Sequence, residues 1–435
     1  TRSYQQEGVG ARLIVQGPPK QIHRHLPERS TFAATAVLRP KPDTGVWTLE
    51  FYDPIRVQRI QVAAGKIPLS TDTSAALAFV SQTIDRRPIR GLLQPGITTG
   101  DRGLYMVEPY QPGKIPIVFV HGLNSDSLTW ADMANDLRAT PELMSRYQIW
   151  AFEYATGRPF LESAAVLRKA LRDLRVELDP AGKDPALDRM VMIGHSMGGL
   201  VSKLQVTNSE NQLWSAVANG PFSTLRASET GRRDVARLFF FTPVKSVRRV
   251  VFIGTPHKGS PWARRPLGRI TSSLVRQGEA SDQRHAMLIA NNPGLFSPEI
   301  QRRVPSSVDM LEPRSPLLRA IRDLPISSCV VAHSVVGTGR SMICSGPADG
   351  VVPVSSARLP GVASEFFIHR THSWLQRDIH TYCEIRRILL EHLVQDNPHW
   401  ISRILGPSST ASNTSRTDAE ASRVSILTAN TTLSR

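Results

Sequence analysis

Residues 190–199, MVMIGHSMGG, constrain this chain more than any other stretch. Their first four residues form an apolar run suited to a strand buried on both faces of a parallel sheet. Gly194, Gly198 and Gly199 then bracket Ser196, and helix-compatible residues resume through Val206. Small residues in that arrangement permit a tight strand-to-helix turn that leaves the Ser196 hydroxyl exposed. A G-x-S-x-G match alone arises often by chance; the strand before it and the helix after it give it force. The stretch therefore predicts a nucleophile at Ser196.

The surrounding pattern supplies a layered scaffold for such a turn. Ile115–Val120 (IPIVFV) reads as another doubly buried strand, followed by a helix near 128–137 and a strand at 148–152. Phe160, Ala164, Leu167, Leu171, Leu174 and Leu178 recur at three- and four-residue intervals, giving one helical stripe that faces a sheet. Later strands are expected at 249–253, 328–336 and 365–368, and a closing helix at 379–394 directs Ile385, Leu389, Leu390 and Leu393 inward. Strands alternating with helices imply right-handed crossovers and an α/β core with a mostly parallel sheet.

Two intervals interrupt the rhythm. Residues 207–247 carry the apolar patch Leu238, Phe239, Phe240 and Phe241, and residues 261–325 form a longer, mostly helical excursion. Met287, Leu288, Ile289, Leu311, Leu317, Leu318 and Ile321 are its candidate packing residues. Both are expected as excursions over the edge of the sheet that carries Ser196, with closure of a local core as the alternative for the phenylalanines. The catalytic domain is assigned to 109–400. Residues 1–108 precede it as an extension with peripheral strands, a strand near 45–52 and a helix near 74–84. Residues 407–435, rich in Ser, Thr, Ala and Asn, read as a disordered tail.

A serine nucleophile needs a base, an orienting acid and donors for the oxyanion. Asp349, in the loop GPADG after a strand, is the candidate acid. His372, in the loop after 365–368, is the candidate base, with His369 and His380 as rivals. His195, next to the serine, reads as packing for the turn. Met197 N–H, at the start of the helix, is one candidate oxyanion donor, since a helix terminus favours developing negative charge. Leu123 N–H, in the loop His121-Gly122-Leu123 after Ile115–Val120, is the other.

Taken together, PIVFVHGL at 116–123, GHSMGG at 194–199, TPHKGS at 255–260 and DGVVP at 349–353 make the chain similar to bacterial members of the α/β-hydrolase superfamily, near the lipase and GPI inositol-deacylase-like branch. The resemblance covers roughly 105–395. It implies the α/β-hydrolase fold, Ser196 as nucleophile, Asp349 as acid, His372 as base, and Leu123 and Met197 at the oxyanion positions. It implies hydrolysis of a carboxylic ester through an acyl-enzyme, without metal or organic cofactor. His257, in TPHKGS, is expected to be structural. Serine amidase or thioesterase chemistry, and a noncatalytic envelope-binding protein on the same scaffold, are the competing readings.

Composition limits the partners. The 435 residues exceed the roughly 250–300 at which single cores stop growing, so additions to the core are expected. Fifty-three Lys and Arg against 37 Asp and Glu give +16, which favours peripheral contact with an anionic membrane around an ester substrate, a lipid among the candidates. The arginines are scattered, and no zinc finger, basic zipper or RNA-binding signature appears, so no specific nucleic acid is expected. His121, His257, His333 and His369 do not make a compact metal-ligand motif. Cys329, Cys344 and Cys383 exclude a dense disulfide framework; they read as three thiols, with a Cys329–Cys344 bridge as the alternative. No apolar run reaches the length of about 18 residues that spans a bilayer. The start at Thr1 points to a removed leading segment, hence to export or the cell envelope.

Overall fold

The computed structural model describes residues 2–17, 25, 31–41, 45–83, 103–264, 279–341 and 346–396. The expected tail at 407–435 and any bridge to Cys344 lie outside the described residues; Cys329 and Cys383 are exposed thiols.

Near the amino end, β1 (Ala11–Gln16), β2 (Thr31–Pro40) and β3 (Trp47–Tyr52) form an antiparallel sheet in sequence order, followed by α1 (Ala75–Thr83). The larger sheet contains β4 (Gly103–Met106), β5 (Ile115–Val120), β6 (Tyr147–Glu153), β7 (Met190–His195), β8 (Val247–Ile253), β9 (Val331–Gly337) and β10 (Ser364–Ile368). Its order is β10-β9-β8-β7-β5-β6-β4, parallel throughout except for β4, which runs antiparallel to β6. The helices after α1 that matter here are α2 (Ala131–Arg138), α3 (Phe160–Leu178), α4 (Met197–Lys203), α5 (Glu229–Phe239), α6 (Glu279–Asn291), α7 (Pro316–Asp323) and α8 (Ile379–Asp396). This is the α/β-hydrolase arrangement, a mostly parallel sheet between helices.

The continuous apolar runs are explained by the two layers they feed. In β5, Ile117 and Phe119 join a cluster with Trp130, Leu137, Ile385 and Leu389 from α8 and the α2 side. Val118 and Val120, one residue out of phase, join Phe160, Leu167, Leu171 and Leu200 on the opposite face. A strand alternates its side chains between faces, so both parities must be apolar when both faces are covered. The stripe read on α3 is buried from Phe160 to Leu174, and Leu178 is half-buried against the same cluster.

The two excursions pack against each other. Trp214 is ringed by Phe222 at 5.1 Å, Phe239 at 5.8 Å and Phe296 at 5.9 Å, all edge-on. Asn219 N–H donates to Leu295 O over 2.7 Å, and Arg226 N–H to the Asn292 side chain over 2.6 Å. Phe239 and Phe240 therefore close a satellite core, while Phe241 is buried in the main one. Leu311, Leu317, Leu318 and Ile321 pack as expected, whereas Met287 does not: it is 66% exposed, because α6 turns Leu288 and Ile289 toward the Trp214 cluster instead.

The amino-terminal segment is tied to the larger sheet's helices. Tyr4 donates its hydroxyl to Asp136 on α2 over 2.7 Å, the Arg2 guanidinium pairs with the same carboxylate, and Asn135 donates to Arg2 O.

Candidate active site

Strand β5 is followed by β6 on one side, and β7 by β8 on the other. Loops leaving β5 and β7 at their carboxyl ends therefore diverge, which opens a crevice at this reversal of strand order. Ser196 follows β7 there, and His121-Gly122-Leu123 follows β5.

Ser196 adopts φ 54° and ψ −128°, an unusual backbone conformation for a residue with a side chain. The turn is held by Ser196 N–H donating to Ile253 O over 2.8 Å and Gly199 N–H donating to Ser196 O over 2.9 Å. Two glycines make it sterically feasible. A Cβ at Gly198 would lie 2.3 Å from Val120 O and His121 O, and one at Gly199 would lie 1.8 Å from Thr255 Oγ1. Helix α4 can thus press against both neighbouring strand ends.

His372 and Asp349 reach Ser196 from loops beyond β10 and β9. The Ser196 hydroxyl lies 2.8 Å from His372 Nε2, and His372 Nδ1 lies 2.7 Å from Asp349 Oδ2. An ionised carboxylate only accepts, so Nδ1 carries the proton and Nε2 is left to accept from Ser196. Asp349 is buried, and its other oxygen accepts from Val351 N–H at 2.9 Å and Val352 N–H at 2.7 Å. His372 N–H also donates to Asp349 O over 2.9 Å, fixing backbone as well as side chain.

The candidate donors lie beside this cluster. Met197 is the first residue of α4, and its N–H has no acceptor within the helix. Leu123 follows Gly122, where a Cβ would stand 2.9 Å from Ser196 Cβ. The β5 loop therefore abuts the serine closely.

A sequence model of the alpha/beta hydrolase family matches residues 117–385, a span that takes in Ser196, Asp349 and His372. The chain belongs to the alpha/beta hydrolase family. No curated protein matches this hydrolase in sequence. Among solved structures it is similar to the mature lipase BlEst2 of Bacillus licheniformis, at 18% identity and TM-score 0.40 over 67% of this chain and 99% of that one. It is also similar to Staphylococcus hyicus lipase, at 15% identity and TM-score 0.40 over 68% and 98%. For EstA from Clostridium botulinum the values are 15% and 0.39 over 65% and 88%.

Other described histidines of this hydrolase sit in other networks. His380 pairs with Asp378 at 2.9 Å, and His333 faces Arg249 and Ser364. His257 is buried edge-on to Phe252 at 4.9 Å, and burial, then the nearby charges of Lys203 and Lys258, pushes it well below the ordinary histidine range. His121 stacks on Tyr154, whose hydroxyl donates to His121 O over 2.6 Å and so pins the start of the β5 loop.

His195 does more than pack the turn. Its Nε2–H donates to the carbonyl oxygen of His372 over 3.0 Å, with the two rings 4.8 Å apart. Burial and then the proximity of His372 push His195 well below the ordinary range, so it stays neutral. No local signal in the sequence announces this contact, which joins positions 177 residues apart. An open groove of about 930 Å³ lies elsewhere, lined by Ala165, Arg168, Arg237, Phe240 and Phe241. Ser196 is not among its lining residues.

Proposed function

We propose that this hydrolase is a serine carboxylic-ester hydrolase, a lipase or esterase, working through an acyl-enzyme. The observation that carries the reading is the unbroken hydrogen-bond line from Ser196 Oγ through His372 to buried Asp349. His372 Nε2 takes the Ser196 proton as Oγ attacks the ester carbonyl, and Asp349 steadies the resulting imidazolium. Met197 and Leu123 N–H groups are assigned to the oxyanion, the first aided by the amino end of α4. His372 then protonates the departing alcohol. Water, deprotonated by the same imidazole, releases the acid.

The motif order from 116 to 353 supports placement near the lipase and GPI inositol-deacylase-like branch, with a lipid ester as substrate and the cell envelope as its setting. The test is hydrolysis of an ester panel of rising acyl length. Ser196→Ala and His372→Ala are each expected to lower kcat/KM by about 10⁴- to 10⁶-fold, and the double variant to be no worse than either, because the groups act as a unit. Asp349→Asn should cost about 10³- to 10⁴-fold. Turnover that survives Ser196→Ala would rule this mechanism out. A maximum at long, aggregated acyl chains identifies a lipase, and one at short chains an esterase.

A further inference from the structure

The sheet of β1, β2 and β3 is built the wrong way round for water. Paired residues of an antiparallel sheet share a face. Register places Trp47 opposite Pro40, Leu49 opposite Leu38 and Phe51 opposite Ala36, and β1 continues the same face with Ala11, Leu13 and Val15 opposite Ala36, Ala34 and Phe32. Every residue on that face is apolar, and its large side chains are exposed: Trp47 is 60% exposed, Leu38 58%, Phe51 54% and Leu49 51%, with the small Ala34 buried among them.

The opposite face is mixed, with polar groups that find partners beside Ile14, Ala33 and Val37. Thr35 donates to Ser70 O over 2.7 Å, Arg12 to the Ser70 hydroxyl over 2.8 Å, and Arg39 pairs with Glu50 at 3.0 Å and donates to Gln61 O. One-sided sheets ordinarily turn the apolar face inward and the polar face to solvent. A contiguous outward patch of this kind marks an interaction surface.

Charge selects the occupant. The whole chain carries +16, and residues 1–68 hold ten Lys and Arg against five Asp and Glu. Exposed Lys41 closes the β2–β3 hairpin beside Trp47, its N–H donating to Val46 O. A second copy on this face would bring two bodies of +16 together, whereas an anionic bilayer attracts such a body and then receives the aromatic and aliphatic side chains at headgroup depth. We propose that the outer face of β1–β3, centred on Trp47, Leu49, Phe51 and Leu38, docks this hydrolase onto anionic lipid membranes. The inference does not depend on the chemistry at Ser196.

The test uses the full chain carrying Ser196→Ala, so that hydrolysis plays no part. Binding is measured by co-sedimentation with vesicles of phosphatidylcholine, with and without phosphatidylglycerol. Binding to the anionic vesicles is expected, and Trp47→Ser/Leu49→Ser/Phe51→Ser should weaken it by about a hundredfold. Circular dichroism melting checks that the triple variant folds. In case it does not, Trp47→Phe provides an independent reading: acyl-chain-brominated vesicles should quench a component of wild-type fluorescence that this variant lacks. Equal binding by the triple variant, no binding by the parent, or no Trp47-dependent quenching would overturn the proposal. So would a solution dimer that the triple substitution dissociates, since a second copy would then be the occupant.

Discussion

At the scale of single residues, the site depends on atoms that are missing as much as on those present. Gly122→Ala would set a methyl 2.9 Å from Ser196 Cβ and 3.2 Å from His195 O, pushing the β5 loop away from the serine. Its kcat is expected to fall about 10- to 100-fold while the melting temperature changes little, measured by steady-state kinetics beside calorimetry. Ser196 itself is held in a conformation that suits glycine. Ser196→Gly should therefore be more stable than Ser196→Ala by about 1–2 kcal/mol in urea unfolding, although both lack the hydroxyl. Ser196 was legible because its requirements are local: apolar strand, small residues, helix. His372 was harder to separate from His369, three positions earlier, because only the path of the loop after β10 decides which ring meets the serine. The His195 contact with the His372 carbonyl was not legible at all, since it depends on how two distant loops meet.

Elements were legible in proportion to the regularity of their burial. Strands β5 and β7 show as unbroken apolar runs because both faces are covered, and α3 shows as a stripe because one side faces the sheet. Leu171, at the centre of that stripe and fully buried, offers a direct measure: Leu171→Ala is expected to cost about 2–5 kcal/mol in urea unfolding. Strand β4 was missed, being four residues long, edge-placed and antiparallel. Strands β1 and β2 were missed for a different reason. Both parities carry apolar residues, Ile14, Ala33 and Val37 on one and Leu13, Phe32 and Leu38 on the other, so no single inward stripe stands out. Within the longer excursion, helical character was visible, but the rotation of α6 was not; that rotation exposes Met287 and buries its neighbours beside Trp214.

For the molecule as a whole, stability should depend on pH through histidines buried without charge. Burial, then the positive charge of Arg249, pushes His333 down to about 4. Between an ordinary value of about 6.5 and that value, the unfolded chain takes up a proton that the folded chain refuses, so protonation favours unfolding. This cost is absent above pH ~6.5 and grows as pH falls toward 4; His195 and His257 act in the same direction. Thermal melts from pH 7 to 4.5 should show stability falling with acid. His333→Gln should remove up to about 1.4 kcal/mol per pH unit from that slope, one proton's share. An unchanged slope would place the acid sensitivity in other groups.

The strained turn at Ser196 has a further consequence over generations rather than seconds. A position where serine is less comfortable than glycine gives random mutation a downhill exit: replacing it with glycine is expected to raise folding stability. A duplicated copy freed from the need to react would be expected to drift toward glycine at 196 while keeping its buried strands, and the scaffold would outlast its chemistry. On the proposed function, keeping serine at this position would require continued selection for its hydroxyl.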